Sequence, residues 1–307
     1  MNFKKIVKKI VSSTLISSLI VLGVSFTSTY AQAENSSWVK FYQDSELRGN
    51  STQPIGAGNY TLDQLQKYGF KNDWASSVYI PEDYVVLMYE NDNFNGIPWV
   101  LTQNDDNSRD FTKVKNNILQ VANDKVSSIK VCHGVCFYED INYGGTSWNP
   151  TTPGYYDFKG LLRFSSVIIP KGWSVHLYGE GDTRKWFLAQ NDENSRNFDR
   201  FGANDKVATY NAYKGVVFFT EANYGGYSME GGGFGPGDYY GSNLRSTGSV
   251  YIPEGYKVQI FEYSNFQGNS WTLDRNDENS KNLDNLPGFH NFILGNTVGS
   301  FKVTRNY

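Results

Sequence analysis

The sequence repeats itself, and this repetition constrains the fold more than any other feature. A polar string of the form Asn-Asp-(Asp/Glu)-Asn-Ser recurs at a nearly constant interval, following Gln103, Gln190 and Arg275. Ile-Pro pairs recur in step with it and begin at Ile80, Ile169 and Ile252. An internal period of this kind is typical of a chain built from similar structural repeats. The spacing therefore predicts three similar domains in tandem.

A shorter pattern lies inside each repeat: an aromatic residue, and then an aromatic-x-Gly triplet that starts five positions later. Its copies begin at Tyr89, Tyr138, Phe219 and Phe261, with a looser copy at Tyr42. The copy after Tyr178 breaks down, because Lys185 stands about where the glycine is expected. In this pattern the glycine adopts a positive φ, and the two aromatic rings cover the hairpin. The six copies predict six four-strand units, two in each domain.

The composition favours an all-β protein. Aromatic residues make up 16% of the chain, glycine occurs 30 times, and few stretches have the pattern of a long helix. Short runs such as Val78-Tyr79-Ile80, separated by turn residues, are typical of strands in a two-sheet sandwich. The apolar faces of the two sheets then bury one another. The net charge of −3 gives no reason to expect nucleic acid or an anionic membrane as a partner.

The N-terminal segment has the composition of a secretory signal peptide. Lysines stand near the start, an apolar run covers about residues 10–26, and Ala31-Gln32-Ala33 ends the segment. A membrane-spanning helix is the alternative, but serines interrupt the run and it falls short of a full span. We therefore expect removal of residues 1–33, a mature chain that starts at Glu34, and a secreted protein with no membrane association after cleavage.

Two cysteines, Cys132 and Cys136, exclude a disulfide-rich scaffold. In an oxidising exterior they would either close a small loop as a clasp in a linker or stay free, and the sequence alone does not choose between these states. His133 lies between them, but a structural zinc site needs four ligands.

Two loops carry the pattern Asn/Asp-Asn/Asp-x-x-Ser/Thr-Ser directly before a β-branched strand, at 72–77 and 123–128. Together with the aromatic-x-Gly hairpins, these loops resemble those of the βγ-crystallins, especially the microbial calcium-binding members, and the likeness extends over roughly residues 38–307. The resemblance implies Greek-key motifs paired into β-sandwiches. It predicts three tandem βγ-crystallin-like domains, at 34–133, 134–213 and 214–307, after the signal peptide.

The same resemblance implies Ca²⁺ as the cofactor, an ion that takes about six to eight oxygen ligands. In the family, each loop gives its second-position acid, third-position carbonyl and fifth-position hydroxyl, and the residue after the first hairpin aromatic completes the shell. The implied ligands are Asp73, the Trp74 carbonyl, Ser76, Asp124, the Lys125 carbonyl, Ser127, and the hairpin residues Gln43 and Glu90. Gln43 departs from the usual acid, which leaves its backbone carbonyl as the ligand, and Asn72 and Asn123 are expected to orient their loops or to bind the ion through water.

A comparison of all six loops separates ligands from scaffold. The sixth position carries a hydroxyl in every copy, which predicts a structural hydrogen bond to the hairpin; these residues are Ser77, Ser128, Ser166, Thr209, Ser249 and Ser300. The second and fifth positions are both polar only in the first domain. We therefore expect two calcium sites there and at most one weak site in the second domain, with loops 161–166 and 204–209. In the third domain, where Arg245 would repel a cation, none is expected.

The repeated polar strings are interpreted as capped turns, because they persist in the domain predicted to lack calcium. An EF-hand is excluded, since its glycine and closing glutamate are missing. The three histidines, His133, His176 and His290, occupy unrelated places in the repeat and have no recognisable catalytic partner. No enzyme activity is therefore predicted.

These expectations favour a secreted calcium-binding structural protein, related to stress or to a coat, whose first domain is stabilised by the ion. A protease inhibitor on the same fold is one alternative and would need an exposed, rigid loop, such as 222–227 or 231–237. A cell-wall or carbohydrate-binding module is another, and would use exposed aromatics such as Trp148, Trp173 and Trp186, although most of these are expected to lie in the core or to cover a hairpin. The expected partners are calcium ions, and an extracellular protein or polysaccharide is left open.

Overall fold

The structure is a computed structural model that describes residues 38–305 apart from 104, 117, 150, 159–162, 183–184, 191, 242–243, 245 and 290–297. The predicted signal peptide at 1–33 lies outside these residues, as do Leu162, Arg245 and His290. None of the helices in the described segments has the length and apolar character needed to span a bilayer.

Unit 1 is the part of the chain that contains the first seven strands. They are β1 (Lys40–Asp44), β2 (Arg48–Ser51), β3 (Gly58–Tyr60), β4 (Ser77–Tyr79), β5 (Tyr84–Tyr89), β6 (Trp99–Thr102) and β7 (Ser128–His133). A short helix, α1, spans Leu62–Gln66, and 3₁₀ helices cover Asp92–Phe94 and Asp106–Arg109. The strands form one sheet of order β2-β1-β4 and another of order β3-β7-β5-β6.

Unit 2 contains the next seven strands. They are β8 (Cys136–Tyr138), β9 (Ser147–Trp148), β10 (Gly154–Asp157), β11 (Ser166–Ile168), β12 (Trp173–Gly179), β13 (Lys185–Ala189) and β14 (Val207–Lys214). Its 3₁₀ helices are Ile141–Tyr143, Glu180–Asp182, Glu193–Arg196 and Phe198–Phe201. The sheets have the orders β11-β8-β9 and β10-β14-β12-β13.

Unit 3 contains the last seven described strands. They are β15 (Val216–Phe219), β16 (Ser228–Phe234), β17 (Gly237–Tyr239), β18 (Ser249–Tyr251), β19 (Tyr256–Tyr263), β20 (Gln267–Asp274) and β21 (Ser300–Arg305). Its 3₁₀ helices are Ala222–Tyr224, Ser264–Phe266, Glu278–Lys281 and Leu283–Asn285. The sheets have the orders β16-β15-β18 and β17-β21-β19-β20.

The same topology therefore appears three times, and it confirms the predicted all-β sandwich class. In each unit the first strand lies between the second and the fourth, while the third strand crosses to the other sheet and pairs with the seventh. The pairings are antiparallel, as in β3 with β7 and β5 with β7. A strand that leaves its chain neighbours in this way is the mark of a Greek-key connection.

The described part of each unit contains seven of the eight strands that the sequence predicts. In unit 1 the chain between β6 and β7 forms the 3₁₀ helix Asp106–Arg109 and turns in its described residues. The polar strings lie here and cap these helices, since Asp105, Asp192 and Asp277 each accept a hydrogen bond from the backbone N–H two residues later. Their predicted structural role is confirmed.

The folded hairpins have the predicted geometry. Their glycines have φ between 68° and 103°, and these residues are Gly49, Gly96, Gly145, Gly226 and Gly268. The aromatic pairs, such as Tyr89 with Phe94, have ring centroids 5.3–5.9 Å apart. In five copies the sixth-position serine hydroxyl donates to a hairpin carbonyl at 2.6–2.7 Å and accepts from a hairpin N–H at 2.9–3.1 Å. The scaffold role of that hydroxyl is thus confirmed for these copies.

Each unit has its own apolar core, and consecutive units are joined by further apolar clusters. Between units 1 and 2 the cluster includes Leu87 and Tyr138, and between units 2 and 3 it includes Tyr213 and Phe219. Cys132 and Cys136 form a disulfide between the end of β7 and the start of β8. Of the two states that the sequence left open, the structure shows the clasp.

A buried lysine lies at the joint between units 1 and 2. The Lys130 ammonium donates to the Tyr143 carbonyl at 2.8 Å, and it lies 5.0–5.9 Å from the ring centroids of Tyr89, Phe94 and Tyr138. Burial lowers the pKa of Lys130. The aromatic faces and the carbonyl stabilise the cation in place of water.

An acidic turn between β4 and β5 connects all three units. Asp83 accepts hydrogen bonds from the Trp173 indole at 2.7 Å and from the Lys214 ammonium at 2.6 Å, both on unit 2 strands. Glu82 forms an ion pair with Arg305 of unit 3 at 2.7 Å. Unit 3 therefore contacts unit 1 as well as its neighbour in sequence.

Candidate metal centre

The two predicted calcium loops of unit 1 lie side by side, because each is tied to the other and to a hairpin. The backbone N–H of Asp124 donates to the Ala75 carbonyl at 3.3 Å, which joins loop to loop. The fifth residue of each loop is fixed to the strand before a hairpin, with Ser76 N–H donating to Tyr42 and Ser127 N–H to Tyr89. The polar side chains are therefore positioned by the backbone hydrogen bonds at the point where each loop enters its strand.

The side-chain contacts run across the loops. The Ser76 hydroxyl donates to the Asp124 carboxylate at 3.3 Å, and the Ser127 hydroxyl donates to the Asn72 amide oxygen at 2.8 Å. Asn72 also donates to Asp73 at 2.7 Å, so it orients its neighbour as predicted. The ligand sets carried over from the resemblance were grouped by loop, whereas the structure groups the fifth position of one loop with the leading positions of the other.

A surface pocket of about 460 Å³ collects most of these groups. Its lining contains five of the eight implied ligand residues, namely Asp73, Glu90, Asp124, Lys125 and Ser127. Asn72, Asn91, Asp92 and Leu62 complete the lining. The sequence reasoning missed Asp92, although it is the one hairpin residue at its position in the repeat with a carboxylate; its counterparts include Ser45 and Ile141.

The three other implied ligand residues lie outside that pocket. Ser76 is buried and reaches Asp124, as described above. Gln43 is exposed on β1, where its side-chain oxygen accepts a hydrogen bond from Asn50 at 3.0 Å. The Trp74 ring packs edge-on against Phe70 at 6.0 Å. The implied ligand is the backbone carbonyl of Trp74, which does not involve the ring.

The donor set suits a hard cation whose coordination sphere is completed in part by water. Asp73, Glu90, Asp92 and Asp124 bring four carboxyl groups to one pocket, against the single ammonium of Lys125 in its lining. Among the described residues, no three His, Cys, Asp or Glu side chains converge closely enough to hold a metal by themselves. Serine hydroxyls and backbone carbonyls must therefore complete any coordination sphere, and Ca²⁺ accepts both.

The second-position aspartates also have a backbone role. Asp73, Asp124 and Asp205 have φ of 52°, 50° and 56°, in the left-handed region. Asp and Asn tolerate this conformation better than most side chains. Part of the Asn/Asp signature is therefore required by the turn, and its recurrence at Asp205 does not by itself indicate a ligand.

Unit 3 has no room for the fifth-position hydroxyl. A Cβ added at Gly248 would lie 2.5 Å from the backbone carbonyl carbon of Glu221, and one at Gly299 would lie 2.5 Å from that of Tyr263. The hairpin backbone thus occupies the place where Ser76 and Ser127 stand in unit 1.

The residues of the alternative functions are placed as follows. His176 is buried beside Tyr178 and Phe187, and His133 stacks on Tyr84. The inhibitor loop at 231–237 is wrong as a free loop, because β16 and β17 occupy most of it. Loop 222–227 is the folded hairpin that Ser249 fixes.

The three tryptophans considered for carbohydrate binding are not all exposed, as expected for most of them. Trp173 is buried in the core of unit 2, and the Trp186 indole N–H donates to the Phe201 carbonyl at 3.2 Å. Trp148 alone of the three is exposed, at 43%.

Comparison with known proteins gives relatives for parts of the chain. No protein-family model matches it. A double mutant of a βγ-crystallin domain from Clostridium beijerinckii is 40% identical, with 31% of this chain and 97% of that chain covered and a TM-score of 0.25. A βγ-crystallin domain from Flavobacterium johnsoniae is 33% identical, with 31% and 93% covered and a TM-score of 0.25. Development-specific protein S of Myxococcus xanthus is 26% identical over 144 residues, which are 45% of this chain and 78% of that protein.

Proposed function

The chain belongs to the βγ-crystallin family, and on that premise we propose that it is a secreted, non-enzymatic calcium-binding protein whose first unit is stabilised by the ion. The reciprocal contacts of Ser76 with Asp124 and of Ser127 with Asn72 carry this proposal. They bring oxygen donors from two loops together without any ion to attract them. The three units would be the three domains at 34–133, 134–213 and 214–307.

The crossed contacts assign the ligands to two corners of unit 1. One corner would take Ser127 with Asn72 and Asp73, and the hairpin adds Glu90 and Asp92. The other would take Ser76 with Asp124, which also lines the pocket at the first corner. Gln43 follows the strand residue that fixes Ser76. The Trp74 and Lys125 carbonyls would complete the two sets. Bound calcium would join loops that are distant in sequence.

The ion would act by mass action on folding. A ligand that binds only the folded state adds about 2.7 kcal/mol at a hundredfold excess over its Kd. A role as a structural, stress-related or coat protein outside the cell suits this dependence, since calcium is abundant there. The Cys132–Cys136 disulfide supports an oxidising location.

Calcium titration of the full chain tests the proposal. We expect saturable binding with Kd of about 10⁻⁵–10⁻⁴ M and a higher melting temperature in calcium than in chelator. Asp73→Gly and Asp124→Gly should each remove one site while preserving the turn, because glycine accepts the positive φ of both positions. Isothermal calorimetry and thermal melts measure both effects.

Ser246→Gly is the matched control, since Ser246 also has a positive φ, of 58°, but lies in a loop of unit 3. It should leave calcium binding unchanged. No heat of binding in the unmodified protein, or undiminished binding in the Asp73→Gly Asp124→Gly double variant, would contradict the proposal.

In unit 1 each crossed pair, Ser76 with Asp124 and Ser127 with Asn72, forms one diagonal between the two loops. Unit 2 retains one of these two diagonals, which refines the expectation of at most one weak site there. Asp205 N–H donates to the Phe164 carbonyl at 3.3 Å, as Asp124 does to Ala75, and Ser165 N–H donates to Tyr138 at 2.9 Å. Ser165 and Asp205 therefore stand where Ser76 and Asp124 stand in unit 1. Glu139 follows Tyr138 and supplies the acid that Gln43 lacks.

The opposite diagonal of unit 2 has lost its hydroxyl at Ala208. We therefore expect a single additional site, and Asp205→Gly should remove it without affecting the two sites of unit 1. Calorimetric stoichiometry of this variant, compared with Asp124→Gly, checks the assignment. Loss of binding in unit 1 on changing Asp205 would show that the diagonals are assigned wrongly.

A further inference from the structure

The degenerate hairpin of unit 2 changes the corner that corresponds to the ion pocket of unit 1. Strand register makes the positions equivalent: Asn211 pairs with Tyr155 and His176, as Lys130 pairs with Asn59 and Leu87. Counting along the paired strands matches Glu90, Asp92 and Ser127 of unit 1 to Gly179, Gly181 and Ala208 of unit 2. All three oxygen-bearing side chains are absent from this corner of unit 2.

A pocket of about 470 Å³ occupies the changed corner. Tyr155, Tyr178 and Tyr227 line it together with Asn211 and Thr209. Its volume lies within the range of about 300–1,000 Å³ that is typical of ligand sites. Since Tyr227 belongs to unit 3 and the other four to unit 2, the pocket forms at the joint between units.

The packing of unit 3 leaves this half of the sheet face open. The other half is covered, because Tyr213 packs with Phe219 and Tyr251 of unit 3. Tyr155 and Tyr227 are 63% and 65% exposed, so their rings are accessible from solvent. The described lining residues include no charged side chain, and the nearby charge is the Lys185 ammonium, which lies 4.2 Å from the Tyr227 ring centroid and 5.9 Å from that of Tyr178.

We propose that this pocket binds a neutral carbohydrate. The exposed rings of Tyr155 and Tyr227 offer apolar faces on which the C–H face of a pyranose stacks, with the Lys185 ammonium over one face of Tyr227, and their hydroxyls remain polar. The Asn211 amide, which donates to the Tyr178 hydroxyl at 3.2 Å, and Thr209 bring hydrogen-bonding groups to the same space. A cation would find none of the carboxylates of the unit 1 pocket here. A ligand with one apolar face and several hydroxyls matches both halves of this chemistry.

Titration of the full chain with chitotetraose and cellotetraose, followed by calorimetry, tests the proposal. We expect saturable binding of at least one of them, with Kd below about 1 mM. Tyr155→Ala and Tyr227→Ala should each weaken binding at least about tenfold, since each removes a stacking surface. Asn211→Ala should weaken it through the lost hydrogen-bonding group.

The control is Tyr263→Ala, which removes a ring that is 51% exposed on unit 3 and away from the pocket lining. It should leave the affinity unchanged, and unchanged melting temperatures would show that the variants are folded. Binding of neither oligosaccharide up to about 10 mM, or equal binding by the Tyr155→Ala Tyr227→Ala double variant, overturns the proposal.

The carbohydrate site is independent of the proposed calcium sites of unit 1, because none of their ligands lines this pocket. Oligosaccharide affinity should therefore be the same in calcium and in chelator. Failure of sugar binding with intact calcium binding would refute this site alone.

Discussion

Raising the pH above about 10 is expected to unfold the protein in one steep transition. Burial raises the pKa of seven buried tyrosines above the ordinary value of 10.0, and the rise is large for five of them, namely Tyr89, Tyr138, Tyr210, Tyr213 and Tyr251. In the unfolded chain they ionise near pH 10, whereas in the folded chain they stay protonated. Above pH 10 the unfolded state therefore binds fewer protons, and the free energy of unfolding falls as the pH rises.

Above the unfolded pKa each tyrosine contributes at most about 1.4 kcal/mol per pH unit to the slope, and the five together at most about 7 kcal/mol per pH unit. The stabilisation is complete below the unfolded pKa and is lost as the pH rises towards the folded values. Tyrosinate absorbance and circular dichroism, recorded together, should change at the same pH. Ionisation of these rings well before loss of the β signal would contradict the prediction. Tyr138→Phe should reduce the slope.

Replacing Ser249 with alanine is expected to lower the free energy of unfolding by about 1–3 kcal/mol, because two backbone groups of the hairpin lose their hydrogen-bond partner. The Ser249 hydroxyl is fully buried, donates to the Glu221 carbonyl and accepts from the Tyr224 N–H. Ser249→Thr should retain most of the stability, since Thr209 occupies the same place in another repeat. Urea unfolding in chelator and in calcium should give the same loss.

The loss of stability on replacing Ser127, a fifth-position serine of unit 1, should depend on calcium, unlike the loss on replacing Ser249. Ser127→Ala removes the hydrogen bond to Asn72, which costs about 0.5–1.5 kcal/mol in chelator. It should also remove a large part of the stabilisation by calcium. If Ser127→Ala and Ser249→Ala responded alike to calcium, the separation of ligand from scaffold would be wrong.

The fold was predictable because its signals are local and repeated. The aromatic-x-Gly hairpin requires a glycine with positive φ, and the serine that fixes the hairpin enters the next strand, so both requirements appear in a short stretch of sequence. The Greek-key crossover of β3 came only with the family resemblance. The 3₁₀ helices that stand between the sixth and seventh strands in the described residues were not predictable, because Asp105 and its equivalents cap helices whose length no pattern specifies.

The candidate site was predictable in its residues and not in its pairing. Asp73 and Ser127 were found from the loop motif, and the pocket contains both. Their association across the loops depends on how two strands enter one sandwich, which is a long-range relation. Asp92 was missed because the family comparison considered only the first residue after the hairpin aromatic, and Asp92 is the third. Its carboxylate also accepts a hydrogen bond from the Leu62 N–H at the start of α1.

The acidic turn of unit 1 has a consequence for saline surroundings. The contacts of Glu82 with Arg305 and of Asp83 with Lys214 are electrostatic and partly exposed, so dissolved salt weakens them. The disulfide clasp and the apolar joints between consecutive units do not depend on charge in this way. High salt concentration would therefore weaken the Glu82–Arg305 contact between units 1 and 3, while the consecutive units stay joined.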